Sequence, residues 1–467
     1  MTRFMPGREA EDVNPDPGIF KAYDIRGLYG SEMDETTALA IGRAFARVLG
    51  RLRGKQPSEL RVGLGRDMRL TAPAMAGALR EGLVAEGATV VDAGQVATEM
   101  LYHLVGSRQL DGGAMVTASH NPKAYTGVKL VREGALPLSG DAGIGDVKAE
   151  IEAGLGEAPG GGSAEEVDVW AEYHAHALSF IDPSNVKPMK VVVDGGNGMA
   201  GPMAGPVLEK LPLELEEMYF VPNGEFPDHE PNPLLEENRA MIIARVQESG
   251  ADLGIAWDGD ADRCFFIDGN GSFCDGDFIC ALLARSVLKK SPGATILYDP
   301  RSSRAVPDLV AAEGGRSDLS RVGHAFFKAR MREEQAAFGG EVSGHYYFRD
   351  FWNADSGTIP ALLMLELLSL DGRSMAELME EFRSRYFISG EINSEVADAE
   401  AKMREIEERY SDGEITHLDG VSVDYDDWHF NVRPSNTEPL LRLNLESLVS
   451  REDMERRRDE VLDLIRS

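Results

Sequence analysis

Apolar positions along the chain alternate between short continuous runs and longer stretches with helical spacing. RVGLGRD at 61–67, a helix-spaced stretch from Met75 to Glu86, ATVVDAG at 88–94 and GGAMVTA at 112–118 read as buried-type strands around a helix, the signature of an α/β unit. KVVVD at 190–194, followed by a glycine-rich turn, and ADLGIAW at 251–257 begin and end a second unit. ATILYDPRSS at 294–303 and a helix-spaced stretch around Pro360 to Leu370 continue the theme in a third. The tail changes rhythm. VSVDYDDWHFNVR and PLLRLNLES alternate strictly, with helical stretches around them, which predicts a small α+β domain from about Phe387. Ala153 to Glu166, AGLGEAPGGGSAEE, has no apolar periodicity and reads as a linker or long surface loop. The expected division is a flexible N-terminal extension over 1–18, α/β domains over 19–160, 166–271 and 272–386, and an α+β domain over 387–467.

Composition narrows the function. A chain of 467 residues is too long for one ordinary core, and 43% hydrophobic with 27% charged residues is a globular balance. A formal net charge of −31 argues against nucleic acid, whose binding needs a basic footprint. Any phosphate site must therefore be locally basic against the global field, which directs attention to Lys and Arg beside glycine-rich turns. The first residues lack the apolar region of a signal peptide, and the most apolar later stretch is interrupted by Glu366, so neither secretion nor membrane spanning is expected. Cys264, Cys274 and Cys280 form no CxxC pair and leave an odd thiol, which suits a reducing cytoplasm.

Several segments carry chemistry. Thr117-Ala-Ser119-His120-Asn-Pro directly follows a strand, which predicts that Ser119 is presented as an exposed nucleophile at a strand end; by itself it equally fits an ordinary turn. Asp258-Gly-Asp260-Ala-Asp262-Arg263 repeats carboxylates at every second residue, and an extended backbone would point all three one way. Like charges so close call for a cation, and all-oxygen ligation specifies Mg²⁺ or Ca²⁺. An EF-hand is excluded by Arg263 and Gly269 at its glycine and glutamate positions. Glu341, Ser343 and His345 gather sugar-compatible donors and acceptors on one turn. Arg433-Pro-Ser435-Asn436-Thr437-Glu-Pro lies between two strands of the tail and could cradle phosphate or simply close a hairpin. Tyr23 and Arg26 precede a glycine, and His324 and Lys328 have the spacing that shares one helix face. Gly196-Asn-Gly198-Met-Ala-Gly201 matches a dinucleotide fingerprint after KVVVD, though Pro202, Gly205 and Pro206 crowd the helix it requires.

The ordered series KAYDIRG, TASHNP, DGDADR, GHAFFK, GGEVSGH and RPSNTEP, from residue 21 to 439, closely resembles the α-D-phosphohexomutase family, in its phosphomannomutase/phosphoglucomutase branch. The resemblance implies three similar α/β domains with mixed sheets and a smaller C-terminal α+β domain around a central cleft. It implies an intramolecular phosphotransferase that interconverts hexose 1- and 6-phosphates through a phosphorylated Ser119 and a hexose 1,6-bisphosphate, which also serves as activator. By the same carry-over, Asp258, Asp260 and Asp262, with phosphorylated Ser119, hold one Mg²⁺ per chain. Glu341, Ser343 and His345 hold sugar hydroxyls, and Arg433, Ser435, Asn436 and Thr437 grip the non-reacting phosphate. Tyr23, Arg26, His120, Lys129, Arg263, His324 and Lys328 match further cleft positions, with Lys129 or His120 as proton acceptor. GEVSGH with YYFRDF resembles the mannose/glucose branch more than the glucosamine branch. The partner is a phosphosugar, and the expected state is a cytoplasmic monomer or weak homodimer. A competing reading is a haloacid-dehalogenase-type phosphotransferase with Asp258 as nucleophile, against which Asp262 stands where Thr or Val belongs.

Overall fold

The computed structural model of the protein describes residues 15–139, 143–434 and 440–467. Most of the expected N-terminal extension, residues 1–14, lies outside them. Its end is ordered: Asp16 caps the 3₁₀ turn Pro17–Ile19, and Ile19 is buried.

Three of the four sheets are mixed. In spatial order the first runs Ile25–Leu28, Tyr125–Arg132, Gly112–Val116, Arg61–Arg66, Thr89–Gln95 and Ser163–Glu166, antiparallel at its first two junctions and parallel afterwards. Ser163–Glu166 corrects one expectation, since part of the supposed linker is a strand beside Thr89–Gln95. Its residues are exposed, so an edge strand with no buried face leaves no apolar period to read. The second sheet runs Cys264–Asp268, Leu253–Trp257, Met189–Asp194 and Leu213–Met218. The third runs Arg316–Leu319, Thr295–Tyr298, Phe338–Gly340, Tyr346–Phe348 and Ala354–Asp355. Val191, Val192 and Val193 are wholly buried, as a run apolar on both faces requires of a central strand covered on both sides. The fourth sheet is antiparallel throughout and centres on the pair Trp428–Pro434 and Leu440–Ser447. Three α/β units with mixed sheets and a C-terminal α+β unit are thus the architecture.

The cores are unequally shared. One buried apolar cluster runs from Leu101 and Val105 of the first unit through Val193, Ile255 and Trp257 of the second to Phe278, Leu362 and Phe382 of the third. The fourth unit packs around its own Ile406, Phe430, Leu443 and Val461. Among the described residues no helix is long and apolar enough to cross a membrane.

Candidate active site

Ser119 stands on the turn that leaves strand Gly112–Val116. It is not exposed as its motif suggests: only 2% of its surface is accessible, because the Asp258–Asp262 turn of the second unit closes over it. A Cβ on Gly259 would come within 2.6 Å of the Ser119 carbonyl, so only glycine permits this approach. The serine has φ +49°, an uncommon value for a side-chain-bearing residue, and the surroundings enforce it. Its amide donates to Thr117 Oγ1 at 2.8 Å. The Arg69 guanidinium donates to the carbonyls of Ser119 (2.7 Å), Asn121 (2.6 Å) and Pro122 (3.0 Å). Arg69, missed in the sequence, is the clamp on this loop. Its signal was faint, an arginine two residues after the aspartate that ends RVGLGRD.

The three aspartates do converge, but on a turn and not on the extended backbone their spacing suggested. Ala261 takes φ +61°, and ligand oxygens of Asp258, Asp260 and Asp262 lie within 4.8 Å of one another. All three residues are at most 1% exposed. Ser119 Oγ donates to Asp258 Oδ2 at 2.8 Å, and Lys129 Nζ lies 2.7 Å from Asp260 and 2.5 Å from Asp262. Burial, then the carboxylates of Asp262 and Asp260, push Asp258 well above the usual carboxyl range, which is the repulsion a cation would relieve. Asp260 Oδ1 and Asp262 Oδ1 are buried without a hydrogen-bond partner. A compact set of carboxylate oxygens, two of them unsatisfied, fits a hard divalent cation. Thr98, also missed, orients this set: its hydroxyl donates to Asp260 Oδ2 at 2.5 Å and its amide to the Asp260 carbonyl at 3.2 Å.

His120 and Lys129 have opposite protonation. Burial, then the guanidinium groups of Arg263 and Arg26, hold His120 well below its ordinary value, so its imidazole is neutral; Nδ1 lies 3.2 Å from Ser119 Oγ. Burial presses the Lys129 pKa down, but Asp260 and Asp262 outweigh it and hold an ammonium there. Arg26 donates to Asn121 Oδ1 and Asp24, each at 2.5 Å, and Arg263 Nε donates to His345 Nε2 at 3.1 Å. That last contact joins the Asp258–Asp262 turn to the Glu341–His345 turn.

On the third unit, His324 and Lys328 share one face of helix His324–Glu333, as their spacing predicts. Lys328 is completely buried, 2.9 Å from Asp355 and 3.8 Å from the centre of the Tyr102 ring. Tyr23 donates to the Val322 carbonyl at 3.2 Å and meets the His324 ring edge to face at 5.5 Å. Glu341 accepts from the Gly323 amide at 2.8 Å and the Tyr347 hydroxyl at 2.5 Å; Ser343 Oγ lies 3.2 Å from His345 Nδ1. Arg433, near the end of strand Trp428–Pro434, is bound by Glu391 at 2.6 Å. Ser435, Asn436 and Thr437 lie outside the described residues.

The dinucleotide fingerprint fails for a physical reason. A helix does follow it, Ala200–Leu208, in spite of its prolines. The space a pyrophosphate would need beside the second glycine is taken by the chain itself, since a Cβ on Gly198 would lie 2.5 Å from the Gly259 carbonyl. Met199 N donates to the Gly259 carbonyl at 2.9 Å, so the turn braces the metal loop.

Models of the phosphoglucomutase/phosphomannomutase family match in order: α/β/α domain I over 17–155, domain II over 169–271, domain III over 275–386 and the C-terminal domain over 391–464. The chain belongs to the phosphoglucomutase/phosphomannomutase family. It is an isomerase of the intramolecular phosphotransferase class. A protein described as phosphohexose mutases, from Xanthomonas campestris pv. campestris (strain B100), is 45% identical over 96% of this chain and 99% of its own length. The phosphomannomutase of Salmonella montevideo is 44% identical over the same shares. The crystal structure of a phosphoglucomutase/phosphomannomutase family protein from Burkholderia thailandensis superposes with a TM-score of 0.88, at 34% identity over 97% of each chain. Domains I to III are the units joined by one shared core, beside which domain I keeps a second core of its own around Phe45 and Leu79, and the C-terminal domain packs around a separate cluster.

Proposed function

We propose that the enzyme interconverts hexose 1-phosphate and hexose 6-phosphate, of mannose and of glucose, through a phosphorylated Ser119 and a hexose 1,6-bisphosphate. The observation that carries this is Ser119 Oγ, buried and 2.8 Å from Asp258 in a turn of three converging carboxylates. A serine with no charge-stabilising partner would be a poor phosphoryl carrier; here the neighbouring Lys129 ammonium and Arg263 guanidinium supply positive charge beside it. Asp258, Asp260 and Asp262, with an oxygen of phosphorylated Ser119, would hold Mg²⁺, which when bound neutralises charge on the transferring group.

In the first half-reaction the bond between phosphorus and Ser119 Oγ breaks while a bond to a sugar hydroxyl oxygen forms. The departing Ser119 Oγ takes up a proton to become the free hydroxyl, and the sugar's hydroxyl proton goes to a base. The neutral imidazole of His120 is ready to accept it, whereas the Lys129 ammonium holds no free lone pair. Ser119 then takes back the phosphate at the other end of the sugar. Glu341, Ser343 and His345 orient the sugar through hydroxyls that mannose and glucose share, so both are accepted, and Arg433 with Ser435, Asn436 and Thr437 binds the phosphate that does not react. Hexose 1,6-bisphosphate serves as activator by rephosphorylating Ser119.

The test is Ser119→Ala, assayed with mannose, glucose and glucosamine 1-phosphates in the presence of a bisphosphate activator. It should abolish turnover, and wild-type protein should carry an acid-stable phosphate on the peptide containing Ser119. Full activity in the variant, or an acid-labile acyl phosphate on Asp258, would remove the serine mechanism. A preference for glucosamine phosphate over both others would move the enzyme to that branch.

A further inference from the structure

Three guanidinium groups converge on one carboxylate between the third and fourth units. Glu391 sits on the turn joining strands Phe387–Ile388 and Ile392–Glu395. Arg433 donates to Glu391 Oε2 at 2.6 Å, Arg442 lies 3.5 Å from Oε1, and Arg301 reaches to 3.9 Å. Arg301 is itself fixed by Asp299 at 2.8 Å and lies 3.6 Å from Glu341. Arg301 is shared among Asp299, Glu341 and Glu391, and Glu391 is the carboxylate that meets Arg433. Arg433 is 8% exposed, and its Nε is buried without an acceptor. The Glu391 side chain, by contrast, is 31% exposed and can turn toward water.

We infer that Glu391 is a displaceable counter-ion, a carboxylate that holds the Arg433 guanidinium until the phosphate of a phosphosugar takes its place. This rests on the reading of Arg433 as the distal phosphate group. Carboxylate and phosphate offer the same planar donor fork the same kind of oxygen pair, so one exchanges for the other without rebuilding the arginine. Displaced from Arg433, Glu391 keeps Arg301 as a neighbouring cation, which lowers the cost of the exchange. A site that must bind one end of a bisphosphate, release it and then bind the other gains from a resident competitor, because affinity for either end is held down. Glu391 is thus a positioning residue that tunes phosphate release, and it touches no reacting atom.

Calorimetric titration of the Ser119→Ala protein, which cannot transfer phosphate, separates the possibilities, with mannose 1-phosphate and inorganic phosphate as probes. Adding Glu391→Gln should tighten both by about two- to fivefold, the range expected for removing a partly exposed ionic competitor. The gain should vanish when Arg433→Ala is added as well. In protein with Ser119 intact, Glu391→Gln should lower KM and kcat together. Unchanged or weaker binding in Glu391→Gln, with Arg433→Ala weakening it, would mean that Glu391 only props the arginine. If Arg433→Ala alone binds both probes at wild-type strength, the distal-phosphate reading fails and the counter-ion role falls with it.

Discussion

The seam joining the first three units and the seam holding the fourth are built from different materials. In the first, helix Thr98–Ser107 acts as a post from which successive side chains reach other units. Thr98 holds Asp260 of the second, Glu99 accepts from the Thr358 hydroxyl of the third at 3.0 Å, and the Tyr102 ring lies under Lys328. Trp257 closes the same seam with Nε1–H donating to the Gly357 carbonyl at 2.9 Å, inside a continuous apolar core. In the second, Arg304 of the third unit donates to the Tyr425 carbonyl at 2.5 Å and the Asp426 carbonyl at 3.0 Å, Val322 N donates to Asp419 at 3.0 Å, and the fourth unit's core stands apart, its apolar contact with the shared core made by partly buried Ile388 and Leu448. Apolar interlocking has no alternative partners, whereas surface hydrogen bonds exchange with water at small net cost. The Ser119 loop and the aspartate turn are therefore fixed to each other, and under the proposed function the fourth unit, held by exchangeable hydrogen bonds, is the one expected to shift with the substrate's far phosphate.

The contrast breaks most severely at Trp257. Trp257→Ala removes a side chain only 1% exposed and should cost about 3–5 kcal/mol. Calorimetry should show the transition of the three-unit block lowered, while amide protection of strand Trp428–Pro434 reports a fourth-unit transition that hardly moves. Equal displacement of both would show the four units to be one cooperative body.

The next effect is a pH dependence at Glu99. Burial pushes this carboxyl from 4.5 up to about 7, against the opposing hydrogen bonds of Ser356, Tyr173 and Thr358. The folded value lies above the unfolded one, so the stabilisation is fully present below 4.5 and is lost as pH rises toward 7. The loss is about 3 kcal/mol at most. Glu99→Gln mimics the protonated form, and its denaturant midpoints at the two ends of that window should differ less than those of wild type by a corresponding amount. Asp277 and Glu446, also pushed up by burial, titrate in both proteins and cancel in the difference. Identical pH profiles would place a carboxylate, not a carboxylic acid, in the seam.

Strands and motifs with a repeating period were legible in the sequence, and relations between units were not. KVVVD announced a central strand because both its faces are buried, and the spacing of His324 and Lys328 announced a shared helix face. DGDADR announced a carboxylate cluster able to hold a cation but not its shape, since alternating carboxylates also arise from a turn wound through a left-handed Ala261. Arg69, Thr98 and Glu391 were invisible because each acts on a loop distant in sequence, and nothing local distinguishes a buried clamp from a surface arginine or a helix-start threonine. GxGxxG misled for the complementary reason, for what lies against its second glycine is the carbonyl of Gly259, from a turn distant in sequence.

Thr98 sharpens the comparison at the chemistry itself. Thr98→Val keeps the shape and removes the hydroxyl that donates to Asp260, and outer-shell losses of this kind typically cost 10–100-fold in metal affinity or activity, about 1.4–2.7 kcal/mol. Mn²⁺ binding followed by electron paramagnetic resonance should weaken alongside kcat, and Thr98→Ser should restore both. Wild-type Mn²⁺ affinity in the valine variant would reduce the contact to packing.

The smallest effect should come from the fourth unit's seam. Arg304→Ala deletes donors to Asp424, Tyr425 and Asp426 but leaves the Arg304 amide bonded to Glu446. These bonds are partly solvated, so water replaces them at a net loss of roughly 1 kcal/mol. Because the docking of the fourth unit carries Arg433 with it, the loss should appear in binding, as a KM for mannose 1-phosphate raised by roughly threefold with kcat nearly constant. Amide hydrogen exchange gives a reading independent of catalysis. Exchange in strand Trp428–Pro434 should quicken, since its neighbour across the seam has been cut back, while helix Thr98–Ser107 keeps its wild-type protection. Faster exchange in that helix as well would mean that the polar seam stabilises the whole molecule, and the distinction between a fixed block and a shifting fourth unit would be lost.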